Sequence, residues 1–346
     1  MKFKALTTFS TAATFAVAMG ITAVAANAET RVLKLQTSAN ASHFSLAYLN
    51  ENQVTKLNDM LEADLTVELL PIESVVPRRE TPQAIGVGIL DGDLTAVSYF
   101  SGVDAAYALM GDLIAGYDTP AQVLKFCMEG GGKEMLQKLH DAHFPGVHVV
   151  GCGAYTREAF VSTVPINGVA DLKGLKIRSP EGLAADVFKR AGAAPVSMAG
   201  SETYGALEKR VIDAADNSAY ANNDANGMHK VAKFPLYPGI HSMPILQFTV
   251  GQEVWDSLSA ADQKAMETWY ANAYAGLTEA TDAEDLRLVA RDKAAGDLTI
   301  IDWAQEERNK FRAIAQEAWA DFAAQTDLAR EVYDAHISFM KAEGLL

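Results

Sequence analysis

The sequence predicts an α/β protein of two domains, and three observations carry that reading. Strand patterns, apolar at every second position, alternate along the chain with helix patterns spaced by three and four. About 318 of the 346 residues remain beyond position 28, more than one hydrophobic core usually serves, so two domains are the default. Residues 259–295 carry a nearly uninterrupted helical pattern, long enough at about 1.5 Å per residue to pass behind both domains.

Residues 1–28 read as a secretory signal. Lys2 and Lys4 supply the positive region, 12–26 an apolar run, and Ala26-Asn27-Ala28 a small-x-small cleavage site. Cleavage near Ala28 and a periplasmic location are expected. The run is interrupted by Thr14 and Thr22 and is short for a membrane span, and no later stretch reaches the roughly eighteen apolar residues a span needs. The formal charge is −15, and removing Lys2 and Lys4 takes it to −17. Such acidity argues against nucleic acid and anionic membranes as partners. A site for anions would be a local exception built from a few arginines. Cys127 and Cys152 are the only cysteines. They form either a disulfide closing a loop of about 26 residues, worth roughly 3 kcal/mol, or two separate buried thiols.

In chain order, 31–37 alternates Val32, Leu33 and Leu35 with polar residues and reads as the first strand. Helix 42–61 follows, with Phe44, Leu46, Leu49, Val54, Leu57 and Leu61 at helical spacing. Ser38, Asn40 and Ser42 fall between them, at a strand's carboxyl end, where ligands bind in open α/β sheets. Residues 65–70 form a second strand and 75–79 a loop. Thr81 caps a helix carrying Ile85, Val87, Ile89 and Leu90, so Gly86-Val87-Gly88 is no dinucleotide loop. A third strand, 94–99, ends in Ser98-Tyr99-Phe100, aromatic residues placed either to wall a pocket or to fill core.

Residues 121–140 are helical, with a kink at Gly130-Gly131-Gly132. Glu134 follows Lys133 where a phosphate loop needs Ser or Thr. His140, His143 and His148 lack a fourth ligand in register for zinc. Strands 147–151 and 160–164 cross to the second domain, with Arg157 just before the latter.

The densest signal spans 171–217. Leu175 and Ile177 share one strand face, Lys176 and Arg178 the other. Ser179-Pro180-Glu181 then reads as a helix start, which puts Arg178 at a strand's carboxyl end before a helix amino terminus. Leu183, Val187, Phe188 and Ala191 continue that helix to Gly192. A second unit repeats the pattern: strand 194–198, Ser201 capping helix 202–210, and strand 211–216 delivering Asn217 at its end. Residues 220–230 are helical, 233–237 and 245–250 are strands, and the latter crosses back. Beyond the long helix stand a short strand, 298–301, and two helices within 303–346, with Trp269, Trp303 and Trp319 as core.

The blocks DLKGLKIR-Ser-Pro, DAADN, LQTSA, VSYFSGVDAAYAL and GGGKEML resemble the DctP-type substrate-binding proteins of tripartite ATP-independent periplasmic (TRAP) transporters. SETYGALEKRVIDA and HKVAKFPLYPGIHSMP look closest to the branch that binds 2-oxo acids, lactate and related acids. The resemblance implies a two-lobed periplasmic binding protein fold with the long helix spanning both lobes. Lobe I is expected from 29–153 plus 244–258, lobe II from 154–243 plus 296–346, and the spanning helix from 259–295. It implies further that Arg178 pairs with the substrate carboxylate, that Asn217 touches the ligand, and that Arg157 is a second arginine. Tyr99, Phe100 and Ser38 complete the substrate-binding candidates. Some relatives bind the anion together with a cation. Asp216 stands where Glu is common among them and Asn217 where an aromatic residue is frequent, so this chain departs at both. Asp216 is accordingly the candidate metal ligand, for Ca²⁺ or Na⁺, with no cofactor required.

No Gly-x-Ser-x-Gly elbow, His-Glu-x-x-His pair or P-loop is present, and a binding protein rather than an enzyme is expected. Its function would be capture of a small organic anion, a monocarboxylate such as a 2-oxo or 2-hydroxy acid. Arg178 forks onto the carboxylate, the cleft closes, and the loaded form meets membrane permease subunits. A subunit of a membrane sensor kinase, or a receptor for a sulfonate or aromatic acid, would use the same fold and site. The tail helices are a candidate homodimer surface, as in some relatives.

Overall fold

The computed structural model describes residues 1, 30–62, 64–198 and 200–346; the expected secretory signal and cleavage near Ala28 lie outside the described residues. Two sheets organise the chain. The first contains β1 (Arg31–Thr37), β2 (Leu65–Leu70), β3 (Gly92–Ala96), β4 (Val147–Ala154) and, from much later, β9 (Ile245–Gly251), in the order β2-β1-β3-β9-β4. β1 runs parallel to β2 and β3, whereas β9 is antiparallel to both β3 and β4. Leu33 and Leu35 are fully buried and every residue of β9 is buried, as in sheets covered on both faces. The second sheet has the order β5-β8-β6-β7, from β5 (Phe160–Ser162), β6 (Lys176–Arg178), β7 (Ala194–Val196) and β8 (Ala214–Asp216). β6 is parallel to β7 and β8, so the carboxyl ends of all three gather at one edge.

Two passages of chain join the sheets side by side, one leaving β4 and one entering β9. The Tyr155 amide donates to Pro244 O at 2.9 Å and the Glu158 amide to Ser242 O at 3.0 Å. They touch most closely at Gly239, where an added Cβ would lie 1.5 Å from Glu158 O; only glycine fits. Cys127 and Cys152 are joined as a disulfide, tying the helix Pro120–Glu129 to β4.

The helix Ala260–Ala295 starts at a Ser259 cap, whose hydroxyl accepts from the Asp262 amide, and stops at Gly296, φ 74°. Its first half lies on the first sheet, where Trp269 Nε1 donates to Gln53 O at 2.9 Å and Tyr270 OH to Leu246 O at 2.7 Å. Its second half reaches the second lobe, where the Asp285 carboxylate accepts from the Tyr220 and Ala221 amides at 3.2 and 2.7 Å. The last two helices, Gln305–Ala323 and Asp327–Ala342, both pack on the helix Ala105–Gly111, and the first of them also on Leu183–Arg190.

Several expected elements differ. The third strand ends at Ala96 and gives way to a 3-10 turn, Val97–Phe100. The helix behind Thr81 ends at Gly86, leaving Val87 and Ile89 72% and 64% exposed. Residues 233–237 and 298–301 form only isolated bridges, Phe160 with Leu236 and Leu236 with Ile301. The helix expected from Pro180 begins at Leu183 behind Gly182, and the Ser179 hydroxyl bonds Pro180 O instead of capping it. Gly182 has φ 92°, a left-handed conformation that keeps the preceding residues out of the helix.

Candidate functional site

A cleft of about 760 Å³ separates the two sheets. Ser38, Arg78 and Tyr99 line it from the first lobe, and Arg178, Met198 and Asn217 from the second, with Asp112, Glu158 and Asp216 also in its wall.

Arg178 ends β6 and is half-buried. Because β7 and β8 flank it in parallel register, both neighbours offer carbonyls where their strands finish. Nη1 donates to Asp216 O at 2.7 Å and Nε to Met198 O at 3.4 Å. Among the described residues it makes no ion pair, and its Nη2 has no hydrogen-bond partner. The backbone thus sets the guanidinium's direction without cancelling its charge. A carboxylate needs such a fork.

Asp216 ends β8, and its Oδ1 lies 2.6 Å from His241 Nε2. Burial works against its charge, but the neighbouring imidazole, Arg178 and a hydrogen bond from Glu158 hold this carboxyl below the usual range. Glu158 is pushed well above that range, first by burial and then by the Asp216 charge. Asp112 accepts from the Ser242 hydroxyl and, at 3.3 Å, from the Met243 amide. Burial nonetheless raises it to about 7. Ligand atoms of Glu158, Asp216 and His241 all lie within 4.8 Å of one another. A hard cation between them would relieve the burial and the Asp216 charge that oppose ionisation of Glu158.

Asn217 donates from Nδ2 to Asn223 Oδ1 at 2.6 Å, and Asn223 Nδ2 returns a bond to Asn217 O at 2.8 Å. That pairing fixes the amide's orientation and leaves Oδ1 without a partner among the described residues. Beside it, Tyr155 OH accepts from Ser45 Oγ at 3.1 Å and Asn222 Nδ2 at 2.7 Å. One hydroxyl therefore links first-lobe and second-lobe side chains. His43 Nε2 lies 3.3 Å from Ser218 Oγ in the same cluster, and burial lowers this imidazole to about 4, so it is neutral near pH 7.

Of the residues expected at the site, Arg178, Asn217, Tyr99 and Ser38 line the cleft together with Asp216. Two expectations are corrected. Phe100 is 1% exposed and packs edge-on against Tyr107 and Phe144, with centroids at 5.7 and 5.6 Å. The 3-10 turn sends it into the core while Tyr99 faces the cleft. Arg157 lies away from the cleft, on a second cavity with Arg308 and Arg312. Glu158 takes the cleft face, as neighbours on extended chain point oppositely.

Sequence reasoning missed Asp112, Glu158, His241 and Arg78 as site residues. Arg78 stacks over the Tyr99 ring, its Cζ 5.1 Å from the centroid, and its Nη1 lies 3.4 Å from Glu73. The consecutive arginines 78 and 79, in so acidic a chain, were a usable signal.

The DctP family model, described as bacterial extracellular solute-binding protein, family 7, matches residues 36–326. A monocarboxylate 2-oxoacid-binding periplasmic protein of Nostoc sp. is 25% identical over 292 residues, covering 84% of this chain and 79% of its own. Among solved structures, the apo open form of a TRAP periplasmic solute-binding protein from Rhodobacter sphaeroides matches with a TM-score of 0.78. It is 37% identical, over 91% of this chain and 99% of that one. Another, from Pseudoalteromonas atlantica with bound sodium and pyruvate, has the same fold, with a TM-score of 0.78 at 23% identity over 92% and 96% of the two chains. These relatives are receptors for solutes and not enzymes. Among the described residues, no helix is long and apolar enough to cross a membrane.

Proposed function

We propose, from the premise that this chain belongs to bacterial extracellular solute-binding protein family 7, that it is a periplasmic receptor for a small monocarboxylate, a 2-oxo or 2-hydroxy acid, which it delivers to TRAP permease subunits. The observation that carries this reading is the Arg178 guanidinium, aimed by two main-chain carbonyls and left without an acidic partner among the described residues. Its open edge accepts the carboxylate of the solute through parallel hydrogen bonds. Asn217 Oδ1 accepts from a hydroxyl on the neighbouring carbon. Tyr99 and Met198 cover the apolar part of the solute.

A Ca²⁺ or Na⁺ ion fits between Glu158 and Asp216, where it would neutralise the carboxylates and offer a positive charge to the second oxygen of the acid. The sodium and pyruvate held by the Pseudoalteromonas relative support this pairing, as does the 2-oxoacid specificity named for the Nostoc relative. With the lobes divided near residues 154 and 244, closure bends the two adjacent passages and shuts water away from Arg178. The tail helices remain a candidate dimer surface.

A thermal-shift screen tests the reading. Pyruvate, lactate and longer 2-oxo acids are compared with sulfonates and aromatic acids, each with and without Ca²⁺ or Na⁺. A ligand at 100 times its dissociation constant adds about 2.7 kcal/mol of stability. Stabilisation by sulfonates or aromatic acids alone would overturn the monocarboxylate assignment.

A further inference from the structure

Behind the two joining passages, on the side away from the cleft, lies a cavity of about 320 Å³. Arg157 enters it from one passage, and Pro238, Gly239 and Ser242 wall it from the other. Arg308 and Arg312 reach it from the helix Gln305–Ala323.

The three guanidiniums are differently occupied. Arg308 donates to Gly239 O at 2.8 Å, to Pro238 O at 3.0 Å and to Asp302 Oδ1 at 2.9 Å. Arg312 donates to Ala115 O at 2.7 Å and pairs with Asp118. Arg157 has neither a hydrogen bond nor an ion pair among the described residues. Burial and the like charge of Arg308 both disfavour its protonated form. Three guanidiniums thus stand against the carboxylates of Asp118 and Asp302 in the cavity wall. This positive surplus sits in a chain of net charge −15. A half-buried cation held beside another cation is costly unless something compensates it; Asp118 in this wall and Asp282 on the long helix offset part of that cost from a distance, but neither forms an ion pair with Arg157 among the described residues.

We propose that this cavity is a second anion site, taking a small multivalent oxyanion of the sulfate or phosphate kind, with Arg157 as its principal ligand and Arg308 and Arg312 beside it. A planar guanidinium matches the edge of a tetrahedral oxyanion through two hydrogen bonds. Arg308 and Arg312, already fixed by main-chain carbonyls, give the site a rigid wall.

The site also has a route to the cleft. His241 lines this cavity and lies 2.6 Å from Asp216, whose main-chain oxygen holds Arg178. In the closure proposed above, both passages that wall the cavity would bend. An oxyanion bound here changes the affinity of the cleft for its solute, and by linkage the solute changes the affinity for the oxyanion by the same factor.

Titration calorimetry with sodium sulfate, against sodium chloride at matched ionic strength, tests this on the whole protein and does not depend on which acid the cleft takes. Wild type and Arg178→Ala are expected to bind sulfate alike, and Arg157→Gln to bind it at least about tenfold more weakly. Arg157→Lys keeps the charge without the fork and is expected to fall between; it serves if the glutamine variant fails to fold. Repeating the titration with sodium phosphate separates the two oxyanions as the physiological occupant. Absence of any sulfate heat above chloride in the wild type overturns the proposal. So does binding lost in Arg178→Ala but kept in Arg157→Gln, which would place the sulfate in the cleft.

Discussion

Arg178 is held by the peptide of Asp216 and not by its carboxylate: Nη1 meets the main-chain oxygen at 2.7 Å, while Oδ1 of the same residue faces His241 at 2.6 Å. Had the two side chains paired, the guanidinium would be neutralised and the cleft would have only Arg78 and Arg79, each already beside a glutamate, to offer an acid. Splitting the aspartate between its main chain and its side chain keeps an arginine available within a ring of carboxylates.

Arg178→Ala is expected to abolish micromolar binding of the acid found in the ligand screen without unfolding the protein. Removing one partner of a buried ion pair costs roughly 3–5 kcal/mol, which is two to three decades of affinity or more at about 1.4 kcal/mol per tenfold. Calorimetry showing near-native affinity would remove this residue from the site.

Cation binding in the cleft should release protons. Asp112, raised to about 7, and Glu158, raised well above the usual carboxylate range, carry protons below neutrality in the cation-free protein. Ca²⁺ affinity should therefore rise as pH increases through about 7. Titrations in two buffers of different ionisation enthalpy would count the protons, and Glu158→Gln should lower the count. A Ca²⁺ affinity independent of pH would exclude Glu158 as a ligand.

Without a cation, stability should decline as pH rises toward neutrality. Between the ordinary aspartate value of 3.8 and about 7, the folded chain holds a proton on Asp112 that the unfolded chain has lost. This contribution is complete below 3.8 and gone once pH passes about 7. Asp112→Asn should flatten that part of the profile in urea unfolding, and an unchanged slope would assign the decline to other groups.

Phe100→Leu should lower the unfolding free energy by about 1–2 kcal/mol, as for other losses of core volume, and leave solute affinity unaltered. Reduced affinity at unchanged stability would return this ring to the cleft.

Replacing both Cys127 and Cys152 by serine should cost about 3 kcal/mol on the chain-entropy account of a loop this long. Denaturant unfolding of the wild type with and without reductant should show a loss of similar size.

Elements whose residues face one environment throughout were legible in the sequence. β1 and β2 start and stop where alternation of apolar residues starts and stops, and the long helix falls within one residue of its pattern. Local pattern failed where a single backbone conformation decides. Gly182 delays a helix that Ser179 and Pro180 otherwise announce, and the turn at 97–100 divides two aromatic neighbours between cleft and core. The arginine and asparagine at strand ends were readable because sheet edges gather ligands. Asp112, Glu158 and His241 were not, since they meet only in three dimensions and one acid among 44 Asp and Glu residues carries no local mark. Arg157 shows the limit of transferring a position from related proteins: the residue is present, but on the other face of its segment.

Thr281 turns its hydroxyl back to the carbonyl of Leu277 at 2.8 Å, and Thr278 shares its hydroxyl between the carbonyls of Tyr274 at 3.0 Å and Tyr155 at 3.1 Å, the first kind of contact being one that curves a helix. They stand between Tyr270, fastened to β9, and Asp285, fastened to the helix Tyr220–Ala225. With its two ends held by different lobes, the helix carries both threonines in the span between its anchors. Displacement of one lobe against the other would have to be taken up in that span.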